Sequence, residues 1–225
     1  MGSCGRPLDG TETRIDPDTH ELQYRGRHIC MGYLKNPEDT AKTISPGGWL
    51  CSGDQAKLDD DGFMSITGRI KELIITAGGE NIPPVLIEDN MKDKMPALSN
   101  CMCLGERKKF LAMFCTLKVK LSPDGDPTNI LDGDAVDAGE KMGSTAKTVE
   151  EAMVCPKWKA YVDAGMKAAN ATTTSNAQKV QKWMWIAKDF SVGGNELTPT
   201  MKLKRPVVTK MYLAELESLY AGSDE

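Results

Sequence analysis

Residues 70–84 read IKELIITAGGENIPP, and the character of the chain changes within this stretch. An apolar run over 73–76 predicts a short strand, and the glycine pair that follows predicts its end. A proline pair then suits the first turn of a helix that runs to about Lys94. A strand, a turn and a helix in immediate succession indicate that a mixed α and β region begins here.

Upstream of this stretch, the chain reads as short strands joined by tight turns. The predicted strands are 12–16, 21–25, 27–31 and 63–67. Turn-forming residues separate them, so residues 1–69 are predicted to be a β-rich subdomain that looks like an incomplete barrel. Nothing near residues 70–71 is rich in proline or serine, which favours a short hinge there over a long linker.

Downstream, residues 72–225 mix strands and helices. The predicted elements are a strand pair over 98–103 and 110–119, helices over 158–170, 176–183 and 207–220, and a strand over 184–188. Residues 122–148 are polar and rich in Asp and Gly, and are predicted to be an inserted loop with little core of its own. The predicted fold class is therefore α+β, a fragment of a β-barrel subdomain followed by a small mixed α+β carboxy-terminal domain.

Composition argues against two classes of function. The chain has 225 residues, 27% of them charged, and a formal charge of −4, so it has no positive field that would attract nucleic acid. No segment approaches the roughly 20 apolar residues of a spanning helix, and the amino terminus has no apolar signal. These features predict an intracellular, soluble protein without a nucleic-acid partner.

Cysteine and histidine usage argues against metal and nucleophile chemistry. The seven cysteines are odd in number and scattered, which favours free thiols in a reducing compartment. Cys101 and Cys103 would share one face of a strand, but no second pair or nearby histidine completes a zinc site. With only His20 and His28 available, a histidine-based triad has little to draw on. No metal-ligating residue is predicted.

Two polar clusters contain the residue types that nucleotide chemistry needs. Asp54 follows Gly53 and could accept hydrogen bonds from both hydroxyls of a ribose, although such an aspartate by itself more often caps a turn. Arg69, also after a glycine, could add a forked donor to the same nucleotide. The glycine pair 78–79 would let backbone approach a ligand closely, but by itself it is more often only a turn.

A third cluster lies near the carboxyl end, where residues 196–205 read ELTPTMKLKR. A lysine on a loop at this place could neutralise an attacking carboxylate and the α-phosphate that it meets. As a lone basic run, the segment would more often be a solvated surface. Each cluster is therefore weak evidence when it is taken separately.

Together and in this order, the three clusters resemble the adenylate-forming superfamily, which includes acyl-CoA synthetases, firefly luciferase and peptide-synthetase adenylation domains. Residues 70–84 and 197–205 are most similar to the bubblegum-type long-chain fatty acyl-CoA synthetases. Residues 27–40 resemble the segment that precedes the Gly-Asp motif of such enzymes. The resemblance covers nearly the whole chain, and so long an ordered match is far more specific than its parts.

The resemblance implies roles for three residues in nucleotide binding and domain movement. Asp54 matches the ribose-binding aspartate and Arg69 the nucleotide-contacting arginine. Lys71 matches the hinge position about which the small domain turns between half-reactions.

The resemblance also implies roles in the two chemical steps. Gly78, Gly79 and Glu80 fall in the loop that approaches the pantetheine arm of CoA during thioester formation. Lys202 matches the catalytic lysine of the adenylation step.

The register of this lysine follows from the family pattern of lysine, apolar residue, any residue and arginine. Lys202 and Arg205 fit that pattern, whereas Lys204 does not. Many relatives carry glycine just before the lysine, where this chain has Met201.

The implied activity is that of a long-chain fatty acid–CoA ligase. A fatty carboxylate attacks the α-phosphate of magnesium-bound ATP to give acyl-AMP, and CoA then displaces AMP. The phosphate loop and the adenine motif of the superfamily do not occur in this sequence. We therefore expect the chain alone to be catalytically silent, with a missing large domain, or a partner that covers its surface, completing the enzyme.

The expected location is cytoplasmic, with peripheral contact at the endoplasmic reticulum or another membrane, because long-chain substrates reside in membranes. Two other interpretations stay open. In one, the chain is a catalytically silent module that docks on a partner through exposed strand edges. In the other, it is a peptide-synthetase adenylation fragment, although no carrier-type serine motif follows.

Overall fold

The computed structural model describes residues 3–222. The chain divides into two compact units, Met1–Leu73 and Ile74–Glu225. The first contains one antiparallel sheet, and the second contains a three-stranded mixed sheet with helices on both of its faces. The α+β fold class is confirmed.

The first unit is built on a four-stranded sheet. Its elements are β1 (Thr11–Ile15), β2 (Glu21–Gly26), α1 (Pro37–Thr43), β3 (Leu50–Leu58) and β4 (Met64–Arg69). The strands lie in chain order, and each neighbouring pair is antiparallel. Leu22, Ala56 and Met64 form its small core.

Two features of this unit differ from the sequence prediction. Residues 27–31 were expected to be a strand, but they turn away after β2, because the Ile29 amide donates to the carbonyl oxygen of Gly26 at 3.2 Å. Helix α1 was not expected, although Asn36 Oδ1 caps it by accepting from the Asp39 amide at 3.1 Å. The other three predicted strands are confirmed.

The second unit contains seven strands and six helices in the part of the chain that the structure describes. They are β5 (Ile74–Ile75), β6 (Asn81–Ile82), α2 (Pro84–Lys94), β7 (Leu98–Leu104), β8 (Leu111–Leu117), β9 (Val119–Leu121), β10 (Pro127–Leu131), α3 (Asp134–Lys141), α4 (Val149–Val154), α5 (Pro156–Asn170), β11 (Val180–Trp185), α6 (Arg205–Met211) and α7 (Leu213–Tyr220). Strands β5 and β6 form one hairpin and β9 and β10 another, while β7, β8 and β11 form the main sheet.

Strand β8 is the middle strand of the main sheet, with β7 antiparallel on one side and β11 parallel on the other. All of its residues are buried. Because side chains alternate along a strand, Met113 and Cys115 pack in the cluster that contains α2 and α5, whereas Ala112 and Phe114 pack in the cluster that contains α6 and α7. The sheet therefore links the helix that follows the glycine pair to the helix that follows Lys202.

Three predictions for this unit are corrected. Residues 122–148 contain β10 and α3, and Leu131 and Ala135 are 3% and 0% exposed, so a few apolar residues connect this polar stretch to the core. Residues 180–183 belong to strand β11 and not to a helix, because pairing with β8 outweighs their helical pattern, and the strand predicted over 184–188 ends at Trp185. The expected last helix is divided at Tyr212 into α6 and α7.

All the cysteines of the chain are free. Burial raises the pKa of Cys101 and raises the pKa of Cys115 to about 12, so these thiols stay protonated and unreactive in the folded protein. None of the helices within residues 3–222 has the length and apolar character needed to traverse a bilayer.

Candidate functional site

Asp54 and Arg69 lie opposite each other on β3 and β4. Arg69 Nε donates to Asp54 Oδ1 at 3.1 Å, and Arg69 Nη1 lies 3.8 Å from Glu72 Oε1. The Arg69 and Asp54 side chains are 49% and 30% exposed, so water screens the pair and it contributes little to stability. The pair therefore presents an accessible acceptor beside an accessible forked donor.

The backbone before Asp54 bends at Gly53, whose φ of 75° lies in the left-handed region. The Gly53 amide donates to Glu21 Oε1 at 2.8 Å, and the Asp54 amide donates to Ser52 Oγ at 3.0 Å. Asp54 Oδ2 receives no hydrogen bond from the residues that the structure describes. This oxygen is free to accept a hydrogen bond from a hydroxyl group.

Lys71 lies in a single 3-10 turn, Ile70–Glu72, and its side chain is exposed. The turn comes just before Leu73, the last residue of the first unit. The residues on either side, Arg69 and Leu73, have extended backbone. A short turn between extended residues can change its dihedral angles without breaking a longer helix.

The glycine pair lies in the turn of the β5–β6 hairpin. The Thr76 amide donates to the Glu80 carbonyl oxygen at 3.1 Å, and the Gly79 amide donates to the Thr76 carbonyl oxygen at 2.9 Å. Gly79 has a φ of 79°, which glycine adopts most readily. A Cβ on Gly78 would meet Thr76 Oγ1 at 3.8 Å and nothing nearer among the described residues. The local fold thus favours glycine at position 79 and leaves position 78 unconstrained.

The turn between β7 and β8 supports this hairpin. The Arg107 amide donates to the Ile75 carbonyl oxygen at 2.8 Å, and the Ala77 amide donates to the Lys108 carbonyl oxygen at 3.0 Å. Gly78, the residue that follows Ala77, is exposed. The glycine loop is therefore an exposed segment on a hydrogen-bonded base.

Lys202 lies at the end of a tight turn between Leu197 and Leu203, which form an antiparallel bridge. The Thr198 amide donates to the Lys202 carbonyl oxygen at 2.8 Å, and the Lys202 amide donates to Thr198 Oγ1 at 3.0 Å. The Lys202 side chain is exposed, and its ammonium group has no hydrogen-bond or ion-pair partner within residues 3–222. The backbone at Lys202 is held in place while the charge remains available.

Met201 has a φ of 60°, in the left-handed region that glycine favours. Its side chain is 68% exposed, so packing does not stabilise this conformation. A residue with a Cβ in this region has a conformational cost of roughly 1–2 kcal/mol. This cost is a physical reason why glycine suits the position before the lysine in the family that the sequence resembles.

We expect Met201→Gly to raise the free energy of unfolding. Releasing roughly 1–2 kcal/mol of backbone strain exceeds the roughly 0.5–1 kcal/mol entropic cost of a new glycine. The net gain is therefore up to about 1.5 kcal/mol, measurable by urea denaturation. Leu213→Gly, at an exposed helical residue outside the left-handed region, is the control and should destabilise the protein. If both variants lower the free energy of unfolding equally, the backbone at Met201 is not strained.

Arg205 has an anchoring role that its place in the sequence pattern did not indicate. Its Nη1 and Nη2 donate to Glu88 Oε1 and Oε2, both at 2.6 Å, and the Cys103 amide donates to Glu88 Oε1 at 2.7 Å. The Arg205 and Glu88 side chains are 15% and 8% exposed. The pair fixes the start of α6, and hence the base of the Lys202 turn, to α2 and β7. The signal that could have revealed it is a glutamate directly after the apolar residue Ile87 on the buried face of α2.

The structure brings together some of the predicted residues and not others. Asp54 and Arg69 form an ion pair in the first unit. The loop 78–80 and Lys202 both belong to the second unit, and no hydrogen bond joins them in the described part of the chain. Among residues 3–222, no group of three or more His, Cys, Asp or Glu side chains could hold a metal ion.

Comparison with known proteins relates the chain to fatty-acid-activating enzymes. No protein-family model matches it. It is 48% identical to the long-chain-fatty-acid–CoA ligase ACSBG2 of Xenopus laevis, with 97% of this chain and 30% of that protein covered. It is 44% identical to ACSBG1 of Rattus norvegicus, with 97% and 31% covered. The chain thus spans about 30% of the length of these relatives.

Solved structures with similar folds are adenylation domains. The adenylation domain of a carboxylate reductase from Mycobacterium chelonae superposes with a TM-score of 0.69 at 18% identity, covering 96% of this chain and 31% of that one. The A domain of a carboxylic acid reductase from Segniliparus rugosus, in complex with AMP and a co-purified carboxylic acid, has a TM-score of 0.69 at 19% identity, covering 96% and 32%. The shared architecture is the carboxyl-terminal part of the adenylate-forming fold.

Proposed function

Because the chain is a relative of the bubblegum-type long-chain-fatty-acid–CoA ligases and has the fold of the carboxyl-terminal part of an adenylate-forming domain, we propose that it forms one side of the active site of such a ligase. In this function, ATP converts a long-chain fatty acid to acyl-AMP, and CoA then takes the acyl group. The phosphate loop that this sequence lacks is supplied by another protein segment.

The observation that carries the proposal concerns Lys202. Its side chain is exposed and its ammonium group has no partner among the described residues, whereas hydrogen bonds to Thr198 fix its backbone. Attack of a carboxylate on a polyphosphate brings anions together, so a cation at the point of contact lowers the barrier. The turn at Thr198 and the Glu88–Arg205 pair preorganise the backbone, from which the long Lys202 side chain would extend to the reacting atoms. Lys202 is the proposed catalytic residue of adenylation.

Asp54 and Arg69 form the proposed nucleotide-binding side of the site. Asp54 Oδ2 has no donor among the described residues, and a ribose hydroxyl can donate to it. Arg69 is half-exposed, so its guanidinium can exchange Glu72 for the ligand at small cost. Together the two side chains would orient the sugar of ATP or AMP.

The Mg²⁺ that such a ligase uses is not assigned to residues of this chain. Within residues 3–222, no cluster of candidate side-chain ligands fits the ion. Its ligands would come from the nucleotide phosphates and from residues elsewhere in the complete enzyme.

Gly78, Gly79 and Glu80 form the proposed CoA-binding loop. The loop is exposed, and its two glycines leave the backbone uncovered, which suits close approach by a narrow pantetheine arm. Lys71, in the exposed turn before the second unit, is the proposed hinge that changes conformation between the two steps.

We expect Gly78→Ala to slow thioester formation without lowering stability, which distinguishes a ligand-binding role of this loop from a structural one. The new Cβ would lie 3.8 Å from Thr76 Oγ1, so the unfolding midpoint should not change. A methyl group in the path of pantetheine should lower the rate of thioester formation from acyl-AMP by about tenfold, with adenylation unchanged. Gly139→Ala, in a helix where the Cβ would lie 3.6 Å from Trp158, is the control remote from the loop. An unchanged thioester rate would remove this loop from the CoA site.

The proposed location is cytoplasmic, with peripheral contact at a membrane, because long-chain fatty acids partition into bilayers. Co-sedimentation of the chain with phospholipid vesicles, with and without fatty acid, tests this contact. If the chain sediments in neither case, the membrane contact is wrong, and the fatty acid must be delivered by another route.

The test of the function is fatty-acid-dependent exchange between ATP and pyrophosphate. We expect no exchange from the purified chain alone, and exchange after addition of the separately produced amino-terminal part of the Xenopus relative. Lys202→Ala should abolish the restored exchange. Exchange by the chain alone would contradict the need for a second part, and association of the two parts without exchange would contradict the proposed function.

A non-catalytic docking module is the second candidate, and one observation favours it. Met31 and Leu34 are 98% and 91% exposed, so this part of the first unit presents apolar side chains to solvent. Such a surface suits a lasting contact with another protein segment. A stable complex that survives gel filtration but is inactive with every acyl substrate would favour this function over the ligase.

A further inference from the structure

A buried carboxylate joins the main sheet to the segment that leads to Lys202. Asp189 lies beyond the end of β11 at Trp185 and is 8% exposed. Its Oδ1 accepts hydrogen bonds from Thr116 Oγ1 at 2.5 Å, from Asn100 Nδ2 at 2.9 Å and from the Phe190 amide at 2.8 Å. Burying a carboxylate is costly unless donors surround it, so this network holds residue 189 at one place on β7 and β8.

The donors of this network come from a bulge in the sheet. The register between β7 and β8 shifts after Leu98, so that Ser99 and Asn100 lie opposite the single residue Thr116. The Asn100 amide donates to Thr116 Oγ1 at 3.0 Å. From this bulge, the Asn100 side chain and the Thr116 hydroxyl both reach Asp189. The bulge therefore gives the sheet a fixed attachment point for the chain beyond β11.

Residues 191–197, which come directly after this network, form a closed loop. The Ser191 amide donates to Glu196 Oε2 at 3.3 Å, and the Leu197 amide donates to the Ser191 carbonyl oxygen at 3.1 Å. Glu196 is 1% exposed, and a Cβ on Gly194 would overlap its carboxylate. The loop has little room to change shape, so a displacement of Ser191 would be passed on to Leu197.

The closed loop ends where the Lys202 turn begins. Leu197 pairs with Leu203 across this turn, and the Lys204 amide donates to the Glu196 carbonyl oxygen at 2.8 Å. Both sides of the turn are thus bonded to a loop whose other end is fixed on β7 and β8. The Lys202 ammonium has no partner of its own in the described part of the chain, so its position depends on its backbone.

We propose that Asp189 is a positioning residue for adenylation, which acts through Lys202 by fixing the place from which the Lys202 side chain extends. This inference rests on the proposed ligase function. Catalysis by a single cation is sensitive to where the cation lies, since a misplacement of about 1 Å can cost about 100-fold in rate. Asp189 affects the reaction only through the closed loop and the backbone of Lys202.

Hydrogen exchange of the purified chain tests the positioning without any activity. We expect Asp189→Ala to speed exchange of the backbone amides of residues 197–204 by at least about tenfold, because the closed loop loses its attachment to the sheet. Asp189→Asn keeps the oxygen that accepts the three hydrogen bonds, so it should change exchange by less than about twofold. Unchanged exchange in Asp189→Ala would overturn the proposal.

Asn170→Ala is the matched control. Asn170 also joins two elements of the second unit through its side chain, since it donates to the Val180 carbonyl oxygen at 2.8 Å and accepts from the Val180 amide at 3.0 Å. Its loss should not speed exchange at residues 197–204, and an effect equal to that of Asp189→Ala would overturn the proposal. If Asp189→Ala does not fold, Asn100→Ala removes one donor from the network and should speed the same exchange by about threefold. Unchanged exchange in that variant would then overturn the proposal.

The reconstituted enzyme tests the route through Lys202. We expect Asp189→Ala to slow adenylation by about tenfold and to change thioester formation from preformed acyl-AMP by less than about twofold, since only the first step uses Lys202. Combined with Lys202→Ala, it should cause no loss beyond that of Lys202→Ala alone. A further loss of about tenfold in the double variant, or equal slowing of both steps, would overturn the proposal.

Failure of the ligase function has a different result. In that case the reconstituted wild-type protein does not adenylate, while Asp189→Ala still speeds exchange at residues 197–204. The attachment of the Lys202 turn to Asp189 would then stand, and its role in adenylation would be overturned together with the proposed function.

Discussion

Arg205→Ala is expected to lower the free energy of unfolding by about 3 kcal/mol, because it leaves the Glu88 carboxylate buried without its cation. Glu88 is 8% exposed, so water cannot replace the guanidinium. Removing one partner of a buried pair costs far more than the net contribution of the intact pair. Urea denaturation of the chain measures the loss.

The matched control is Lys210→Ala, in the last turn of the same helix, where the side chain is exposed and loss of its charge should cost less than about 0.5 kcal/mol. A double-mutant cycle with Glu88→Gln and Arg205→Met isolates the pair. The double variant should be more stable than Arg205→Met alone, because the neutral amide no longer needs a cation. If Arg205→Ala costs no more than Lys210→Ala, the anchoring role is wrong.

Lys202→Ala is expected to slow adenylation by about 100- to 1,000-fold in the enzyme reconstituted with its amino-terminal part, the usual effect of removing one group that stabilises a transition-state charge. Stability should not change, because the Lys202 ammonium has no partner in the described part of the chain. Thioester formation from preformed acyl-AMP should be retained, since that step does not bring a carboxylate to a polyphosphate.

Lys204→Ala is the control for this prediction. Lys204 Nζ donates to Asn195 Oδ1 at 2.5 Å, so this neighbouring lysine is engaged with its own loop. Its removal should change adenylation far less than removal of Lys202. A large loss for Lys204→Ala with normal activity for Lys202→Ala would show that the register of the catalytic lysine is shifted by two residues.

Several elements could be predicted because their signals are local. The proline pair before α2 placed that helix correctly, since proline without its N–H fits a first helical turn. The strands around 98–103 and 110–119 follow from apolar runs bounded by a polar turn, and the structure confirms them. The prediction lacks α1, although the Asn-Pro pair at its start is an equally local helix signal.

Other elements depend on partners that are distant in the chain. Residues 176–183 have a helical pattern, and only the presence of β8 makes β11 a strand. The polar stretch 122–148 acquires its core through isolated positions such as Leu131, which no periodic pattern reveals. Arg205 and Glu88 are 117 residues apart, beyond any local rule.

The candidate site was predicted by order and spacing and remains a prediction. The structure adds that Asp54 pairs with Arg69 and that the Lys202 ammonium is available within residues 3–222. It also adds the left-handed backbone at Met201, which the sequence by itself does not show.

The fully buried middle strand has a consequence for how the second unit folds. β7 and β8 are joined by a short turn, but β11 reaches β8 only after residues 118–179 have been synthesised and folded back. Such a late, non-local parallel pairing slows folding. Until it forms, the β7–β8 hairpin exposes an apolar edge to other chains, so nascent protein at high concentration should aggregate through β8 unless a chaperone covers it.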